Sequence, residues 1–175
     1  METKFNVTHI GGRSGTIQFP KDTVFNDSIN YSIFEPERFY RPMQGKVLKI
    51  LPMELHRGCP YTCAYCEDPS QNLLYKSRGI AKTYHRSKSP KRVIDELHYL
   101  IDKYGANYIY FNAETFFAMP NKDFIELADV YSKEIRLPFW IQTRPETITE
   151  ERIRLLKKMN VSNKKFRVHV LQGTT

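Results

Sequence analysis

The sequence predicts an α/β fold built around a parallel sheet, and three observations support this fold class. Short apolar runs of strand length recur along residues 46–171. Helix-start residues lie between these runs, at Ser89-Pro90, Pro120-Asn121 and Thr149. The segments after these starts carry apolar residues at helical spacing. Helices that connect successive strands imply right-handed crossovers, and therefore parallel strands.

The first strand is predicted over residues 47–55, an apolar run that ends at a cysteine-rich loop. The first helix begins at the Ser89 cap and ends at Gly105, since glycine is the usual residue after a helix. Residues 107–111 form the second predicted strand. The apolar face of the helix consists of Val93, Ile94, Leu97, Leu100 and Ile101.

A second helix is predicted from Pro120-Asn121 and a third strand over residues 138–142. Thr149 caps a third helix, whose first-turn Glu150 and Glu151 suit the helix dipole. Residues 166–171 alternate in character and predict a fourth strand. The buried stripes of the two helices are Phe124, Leu127, Ala128 and Tyr131, and then Ile153, Leu156 and Met159.

Residues 1–45 are dense in glycine and proline, with aromatic side chains between them. This punctuation predicts an irregular lead-in that packs by its aromatic rings, and no separately folded domain. The domain organisation is therefore a lead-in over residues 1–45 and a core over residues 46–175.

Composition restricts the class of protein. The 175 residues carry a formal net charge of +8, without a polybasic run. This charge fits a nucleotide-like cofactor, RNA or an anionic surface, and equally a basic solvated surface, so a nucleic-acid partner stays open. No apolar stretch approaches membrane-spanning length, and residues 1–12 lack the apolar region of a secretory signal. The cysteine count is odd and crowded, which favours a reducing, cytoplasmic location over a disulfide framework.

All three cysteines of the chain, Cys59, Cys63 and Cys66, lie within one eight-residue stretch with the spacing Cys-x3-Cys-x2-Cys. Three neighbouring thiolates favour an iron–sulfur cluster, zinc or copper(I), and one ligand is missing. His56 and His85 are the nearest candidates for a fourth ligand, so a Cys3His zinc site is an alternative. Three buried cysteines acting as small apolar residues fit a polar loop less well.

Two further polar residues follow predicted strands. Glu114 comes after the second strand and Arg144 after the third, while the cysteine loop follows the first. Ligands of parallel α/β sheets bind at the carboxyl ends of the strands. The three features are therefore expected to meet at one edge of the sheet.

The cysteine spacing, with Tyr65 just before the last cysteine, resembles the motif of the radical S-adenosylmethionine (SAM) superfamily. The resemblance implies that Cys59, Cys63 and Cys66 hold a [4Fe-4S] cluster whose open iron is chelated by SAM, which is then cleaved to a radical. It implies an enzyme with a flavodoxin- or ferredoxin-type electron donor and an unknown substrate. Tyr65, Glu114 and Arg144 are the cofactor-binding residues that it implies, Glu114 at the SAM amino group and Arg144 at its carboxylate or ribose. A solvated carboxylate and a structural ion pair are the plain alternatives for Glu114 and Arg144.

The segment His56-Arg-Gly-Cys-Pro60 resembles the cobalamin-associated branch of this superfamily, as do residues 108–116 and 140–146. The resemblance implies a (βα) TIM-type barrel. The pattern of this sequence supplies only three to four strand–helix units of it, so a partial barrel is expected. Cobalamin binding does not follow, because too few residues precede the first strand for the domain that binds it. Residues 164–175 depart from the branch's pattern, which indicates a truncated barrel.

Two other functions remain as alternatives. One is a non-catalytic zinc- or cluster-binding module that interacts with RNA or a partner protein, which the positive charge favours. The other is a transfer-RNA methylthiotransferase, which Ser77-Arg78-Gly79 weakly resembles, although those enzymes need further cysteines that this sequence lacks.

Overall fold

A computed structural model describes residues 4–8, 14–18, 29–43, 45–159 and 167–170. The chain divides into two compact units, Met1–Asn30 and Tyr31–Thr175. In the first unit, strands β1 (Lys4–Thr8) and β2 (Ser14–Gln18) pair as an antiparallel hairpin in which Lys4 lies opposite Gln18.

The second unit is built on a five-stranded sheet with the order β3-β4-β7-β8-β9. Strand β3 is antiparallel to β4, whereas β4, β7, β8 and β9 run parallel to one another. Two short strands, β5 and β6, form a separate antiparallel pair beside the cysteine loop. The bounds are β3 (Tyr40–Met43), β4 (Lys46–Glu54), β5 (His56–Arg57), β6 (Arg86–Ser87), β7 (Tyr108–Asn112), β8 (Phe139–Thr143) and β9 (Arg167–Val170).

Four α-helices connect these strands, and their ends follow the predicted signals. Ser89 Oγ accepts a hydrogen bond from the Arg92 N–H at 3.3 Å, and Gly105 ends the same helix in the left-handed conformation, with φ of 66°. Thr149 Oγ1 accepts from the Arg152 N–H at 3.3 Å. The helices are α1 (Asp68–Ser77), α2 (Pro90–Tyr104), α3 (Asn121–Glu134) and α4 (Glu150–Met159). None of the helices in the described ranges is long and apolar enough to span a membrane.

The core lies between the helices and one face of the sheet. Tyr131 of α3 packs against Phe111 of β7 and Phe139 of β8, with ring centroids 6.0 and 5.6 Å apart. Alternate strand residues on this face are fully buried, and those on the other face are partly exposed. Helices therefore cover one face of the sheet, and the second face carries the half-buried side chains Ile50, Pro52, Tyr110, Trp140 and Gln142.

The α/β fold class is confirmed, as a partial barrel whose parallel strands alternate with helices α2, α3 and α4. Of the predicted fourth strand, residues 167–170 form β9, and the rest lies outside the described residues, as does most of the tail at 164–175. Strands β1, β2 and β3 lie within residues 1–45, where backbone pairing forms despite the glycine and proline residues. The expected domain boundary at residue 45 stays a prediction.

Candidate functional site

The cysteine loop connects β5 to α1 at the carboxyl edge of the parallel strands. Its three cysteines are free thiols: Cys59 is buried, and Cys63 and Cys66 are half-buried. The Cys66 N–H donates to the Cys63 carbonyl oxygen at 3.1 Å, which forms a turn between them. Tyr65 lies on this turn with 64% of its surface exposed. The loop therefore leaves two of its cysteines partly exposed and buries the third.

Gly58 sets the entry of the chain into this loop. Its φ of 77° lies in the left-handed region, where side chains are strained. A Cβ atom at this position would lie 2.5 Å from the carbonyl oxygen of Tyr84, a backbone atom that has little freedom to move. Two features therefore require glycine just before Cys59: its left-handed backbone conformation, and the lack of room for a Cβ atom beside Tyr84.

Gly58→Ala is expected to destabilise the protein by about 2 kcal/mol or more, since left-handed strain and a backbone clash add. Gly79→Ala is the matched control, because Gly79 has φ of 72° and a Cβ atom added there would have nothing within 4 Å. Urea unfolding of both variants gives the comparison, and the difference isolates the clash with Tyr84. Equal losses of unfolding free energy would contradict the close approach at Gly58.

Arg144, the residue after β8, reaches the cysteine loop. Its guanidinium lies over the Tyr61 ring, 4.4 Å from the centroid, and its Nη1 hydrogen-bonds the Cys63 sulfur. The same side chain forms an ion pair with Glu146 and is 6% exposed. Arg144 therefore makes both interactions at once: it contacts the cysteine loop, and it forms the structural ion pair that was the alternative to a cofactor-binding role.

Glu114 lies two residues after β7, beside a buried pair of histidines. His56 Nε2 is 3.8 Å from Glu114 Oε2, and the His56 and His85 rings are 5.3 Å apart. Burial, together with the neighbouring His85, lowers the pKa of His56 to about 4, so the imidazole is neutral at pH 7. Its contact with Glu114 is therefore not an ion pair at that pH.

The pKa of the Glu114 carboxyl reflects its position beside the cysteine loop. Burial raises the pKa of this carboxyl, and hydrogen bonds from its own backbone and that of Gly58 act in the opposite direction. The Gly58 contact joins Glu114 directly to the residue before Cys59. Glu114, which follows the second predicted strand, thus lies beside the cysteine loop, which follows the first.

A polar pocket of about 210 Å³ lies in front of these residues. Two carboxylates line it, and Glu54 is held by Arg57 through hydrogen bonds of 2.7 and 3.0 Å. Carboxylates accept hydrogen bonds, so the pocket suits a group that donates them, such as an ammonium. The lining residues are Glu54, His56, Asn112, Ala113, Glu114 and Gln142.

Thiols are suitable ligands for an iron–sulfur cluster, but the three cysteine side chains are not arranged around a common point in this structure. Burial raises the pKa of the Cys59 thiol to about 11, and Cys66 Sγ donates to Asp68 Oδ2 at 3.5 Å. Within the described ranges, no three His, Cys, Asp or Glu side chains form a group that could hold a metal ion. Three free cysteines on one loop remain the donor set that iron–sulfur clusters use. Metal binding would have to release the Cys59 proton.

The sequence prediction missed two residues that shape this loop. Tyr61 supplies the ring beneath Arg144, and Asp68 accepts from Cys66 and from the Tyr84 hydroxyl. The signal for Asp68 was present, since Asp68-Pro69 is a helix-start dipeptide. Nothing in the local pattern distinguishes Tyr61 from the other loop residues, because its partner Arg144 is distant in the sequence.

Comparisons with known proteins give two positive findings. The family model of the radical SAM superfamily matches residues 53–170, more than half of the chain. The anaerobic magnesium-protoporphyrin IX monomethyl ester cyclase of Rubrivivax gelatinosus is 26% identical over 147 residues. That match covers 83% of this chain and 23% of the cyclase, so the chain spans about a quarter of its relative. No solved structure matches.

Proposed function

Because this chain belongs to the radical SAM superfamily, we propose that it holds a [4Fe-4S] cluster through Cys59, Cys63 and Cys66 and reductively cleaves SAM. When bound, the cluster would supply the electron that splits SAM into methionine and a 5′-deoxyadenosyl radical, which would start chemistry on a substrate. The observation that carries the proposal is that residues after three successive parallel strands meet at the cysteine loop.

The roles proposed for the protein side chains follow from charge. Glu114 accepts hydrogen bonds from the SAM ammonium, in a pocket lined by carboxylates and amides. Arg144 binds the SAM carboxylate or ribose, and its ion pair with Glu146 holds the guanidinium in place. Tyr65, exposed between Cys63 and Cys66, covers the solvent side of the cofactor. If Glu114 and Arg144 have only structural roles, replacing either residue should leave SAM binding unchanged.

The remaining parts of the proposal rest on family membership. A reductase of the flavodoxin or ferredoxin type would supply the electron, and the reducing chemistry agrees with a cytoplasmic location. Cyclisation, as in the relative's name, methyl transfer and rearrangement are all outcomes open to such a radical. The proposal needs no cobalamin bound by this chain.

Anaerobic reconstitution with iron and sulfide tests the proposal. We expect about four irons per chain, and release of 5′-deoxyadenosine when SAM and dithionite are added. Glu114→Gln should keep the iron content and weaken SAM binding about tenfold, since an ionic hydrogen bond becomes neutral. The matched control is Glu126→Gln on the exposed face of α3.

Two results would contradict the proposal. A reconstituted protein that holds its cluster and never cleaves SAM would remove the enzymatic part. Zinc at one per chain without iron, in protein purified without oxygen, would replace it with a zinc-binding module.

A further inference from the structure

A second, larger cavity lies on the face of the sheet that the helices leave uncovered. Its volume is about 540 Å³, within the range of small-molecule sites. Residues 31–43 form one side of it, and the sheet forms the other. The lining residues are Tyr31, Phe34, Arg38, Phe39, Arg41, Pro42, Met43, Ile50, Pro52, Tyr110 and Trp140.

The floor of this cavity is aromatic. Tyr110 and Trp140 are register partners on β7 and β8, and their rings lie 4.8 Å apart with planes inclined by 33°. Pro52 of β4 is paired with Tyr110 and extends the floor. On the other side, Phe39 makes edge-to-face contacts with Tyr31 and Phe34 at 5.4 and 6.3 Å. The rings of Tyr110 and Trp140, this close and this nearly parallel, stack on each other, so they present their edges to the cavity, and an aromatic ligand meets such edges in edge-to-face contact.

The charged groups of the cavity have one sign. Arg38 and Arg41 line it, and none of the described lining residues is acidic. Arg38 pairs with Glu35 at 2.5 Å, but both side chains are about two-thirds exposed, so that pair is weak. Arg41 donates one hydrogen bond to the Tyr40 carbonyl oxygen at 3.2 Å, and a guanidinium has five N–H donors. The cavity therefore complements an anionic group at its rim.

The cavity shares its sheet face with the polar pocket at Glu114. Side chains two positions apart along a strand lie on the same face, so Tyr110 is followed by Asn112, and Trp140 by Gln142. Asn112 and Gln142 line the polar pocket. The step between the two layers is about 7 Å along the strands. A molecule on the aromatic floor would thus extend toward the edge that carries the cysteine loop.

We propose that this cavity binds the substrate of the radical, and that the substrate is an apolar molecule with an aromatic ring system and an anionic group such as a carboxylate. The ring system packs against the ring edges of Tyr110 and Trp140, and the anion meets Arg38 and Arg41. The identification of the bound molecule as the substrate rests on the proposed function. The binding site itself does not, because none of its lining residues is proposed to contact the cluster or SAM.

Trp140 is the single tryptophan of the chain, so its fluorescence reports directly on the floor of the cavity. The 175-residue chain without metal is titrated with pyrene-1-carboxylate, pyrene-1-methanol and pyrene-1-methylammonium, which differ in charge and share one ring system. We expect the carboxylate to bind about tenfold more tightly than the alcohol, and the ammonium to bind least.

Variants locate the binding. The double variant Arg38→Gln/Arg41→Gln should weaken the carboxylate about tenfold and leave the alcohol unchanged. Tyr110→Leu should weaken binding of the carboxylate and of the alcohol alike, because it removes one of the two aromatic rings of the floor. Arg154→Gln is the charge control, since Arg154 is exposed on α4 and pairs with Glu150.

Equal binding of the three pyrenes, no response of Trp140, or an equal loss in Arg154→Gln would overturn the inference. These outcomes are separate from those of the proposed function, because the titration uses protein without a cluster. A chain that binds pyrene-1-carboxylate as expected but never cleaves SAM would refute the radical function and leave the binding site standing.

Discussion

Cys63→Ser is expected to reduce the iron content of the reconstituted protein from about four atoms per chain to less than about one. The same loss is expected for Cys59→Ser and Cys66→Ser. The 175 residues contain no other cysteine, so no further thiolate of the chain can take the place of a missing one. Iron and sulfide assays on anaerobically reconstituted protein, with SAM cleavage as a second readout, measure the effect.

The control for the cysteine variants is Thr62→Ala, which changes an exposed residue of the same loop without removing sulfur. It should keep its iron. Urea unfolding of the metal-free variants separates loss of ligand from loss of fold, and Cys63→Ser and Cys66→Ser should unfold like the metal-free parent because both cysteines are half-buried. Full iron in any of the three cysteine variants would refute the assignment of that residue.

Local sequence signals account for the elements that were predicted well. Helix α2 begins after Ser89 and ends at Gly105, as the sequence predicts, because capping depends on groups within one helical turn. The position of Glu114 and Arg144 at the cysteine-loop edge was also predictable, because parallel strands place their carboxyl ends together. Their roles toward SAM stay proposals.

Elements without an apolar stripe were missed. Helix α1 contains no buried residue, and its Leu73 and Leu74 are 63% and 51% exposed, so no periodic pattern indicates it. Strand β3 is a four-residue edge strand that contains Pro42 and has no buried residue. The cavity above Tyr110 and Trp140 was equally hidden, since residues of β7, β8 and the segment 31–43, which are distant in the sequence, line it together.

A buried ion pair beside the loop was also beyond the sequence pattern. Lys88 Nζ lies 2.7 Å from Glu96 Oε2, and the two side chains are 2% and 0% exposed. Lys88 follows β6, and its N–H donates to the Leu55 carbonyl oxygen at 2.9 Å. The pair therefore ties α2 to the segment that pairs with β5, immediately before the cysteine loop.

Glu96→Ala is expected to lower the free energy of unfolding by about 3–5 kcal/mol, because it breaks a buried ion pair by removing the carboxylate 2.7 Å from the Lys88 ammonium. Helix propensity does not explain such a loss, since alanine is the best helix former. Urea unfolding of the metal-free protein gives the value. Asp95→Ala is the matched control on the same helix: Asp95 pairs with Lys91 at 2.9 Å, but both side chains are more than half exposed. Its removal should cost less than about 1 kcal/mol.

The double variant Lys88→Met/Glu96→Leu decides whether the pair stabilises the fold or only avoids an uncompensated charge. Replacing both partners with apolar side chains removes the cost of burying two ions, so stability should return to about the parent value or above it. If the double variant is instead as unstable as Glu96→Ala, the hydrogen-bonded pair itself holds β6 against α2. A loss for Glu96→Ala no larger than that for Asp95→Ala would show that water reaches Lys88, against the burial that the structure gives it.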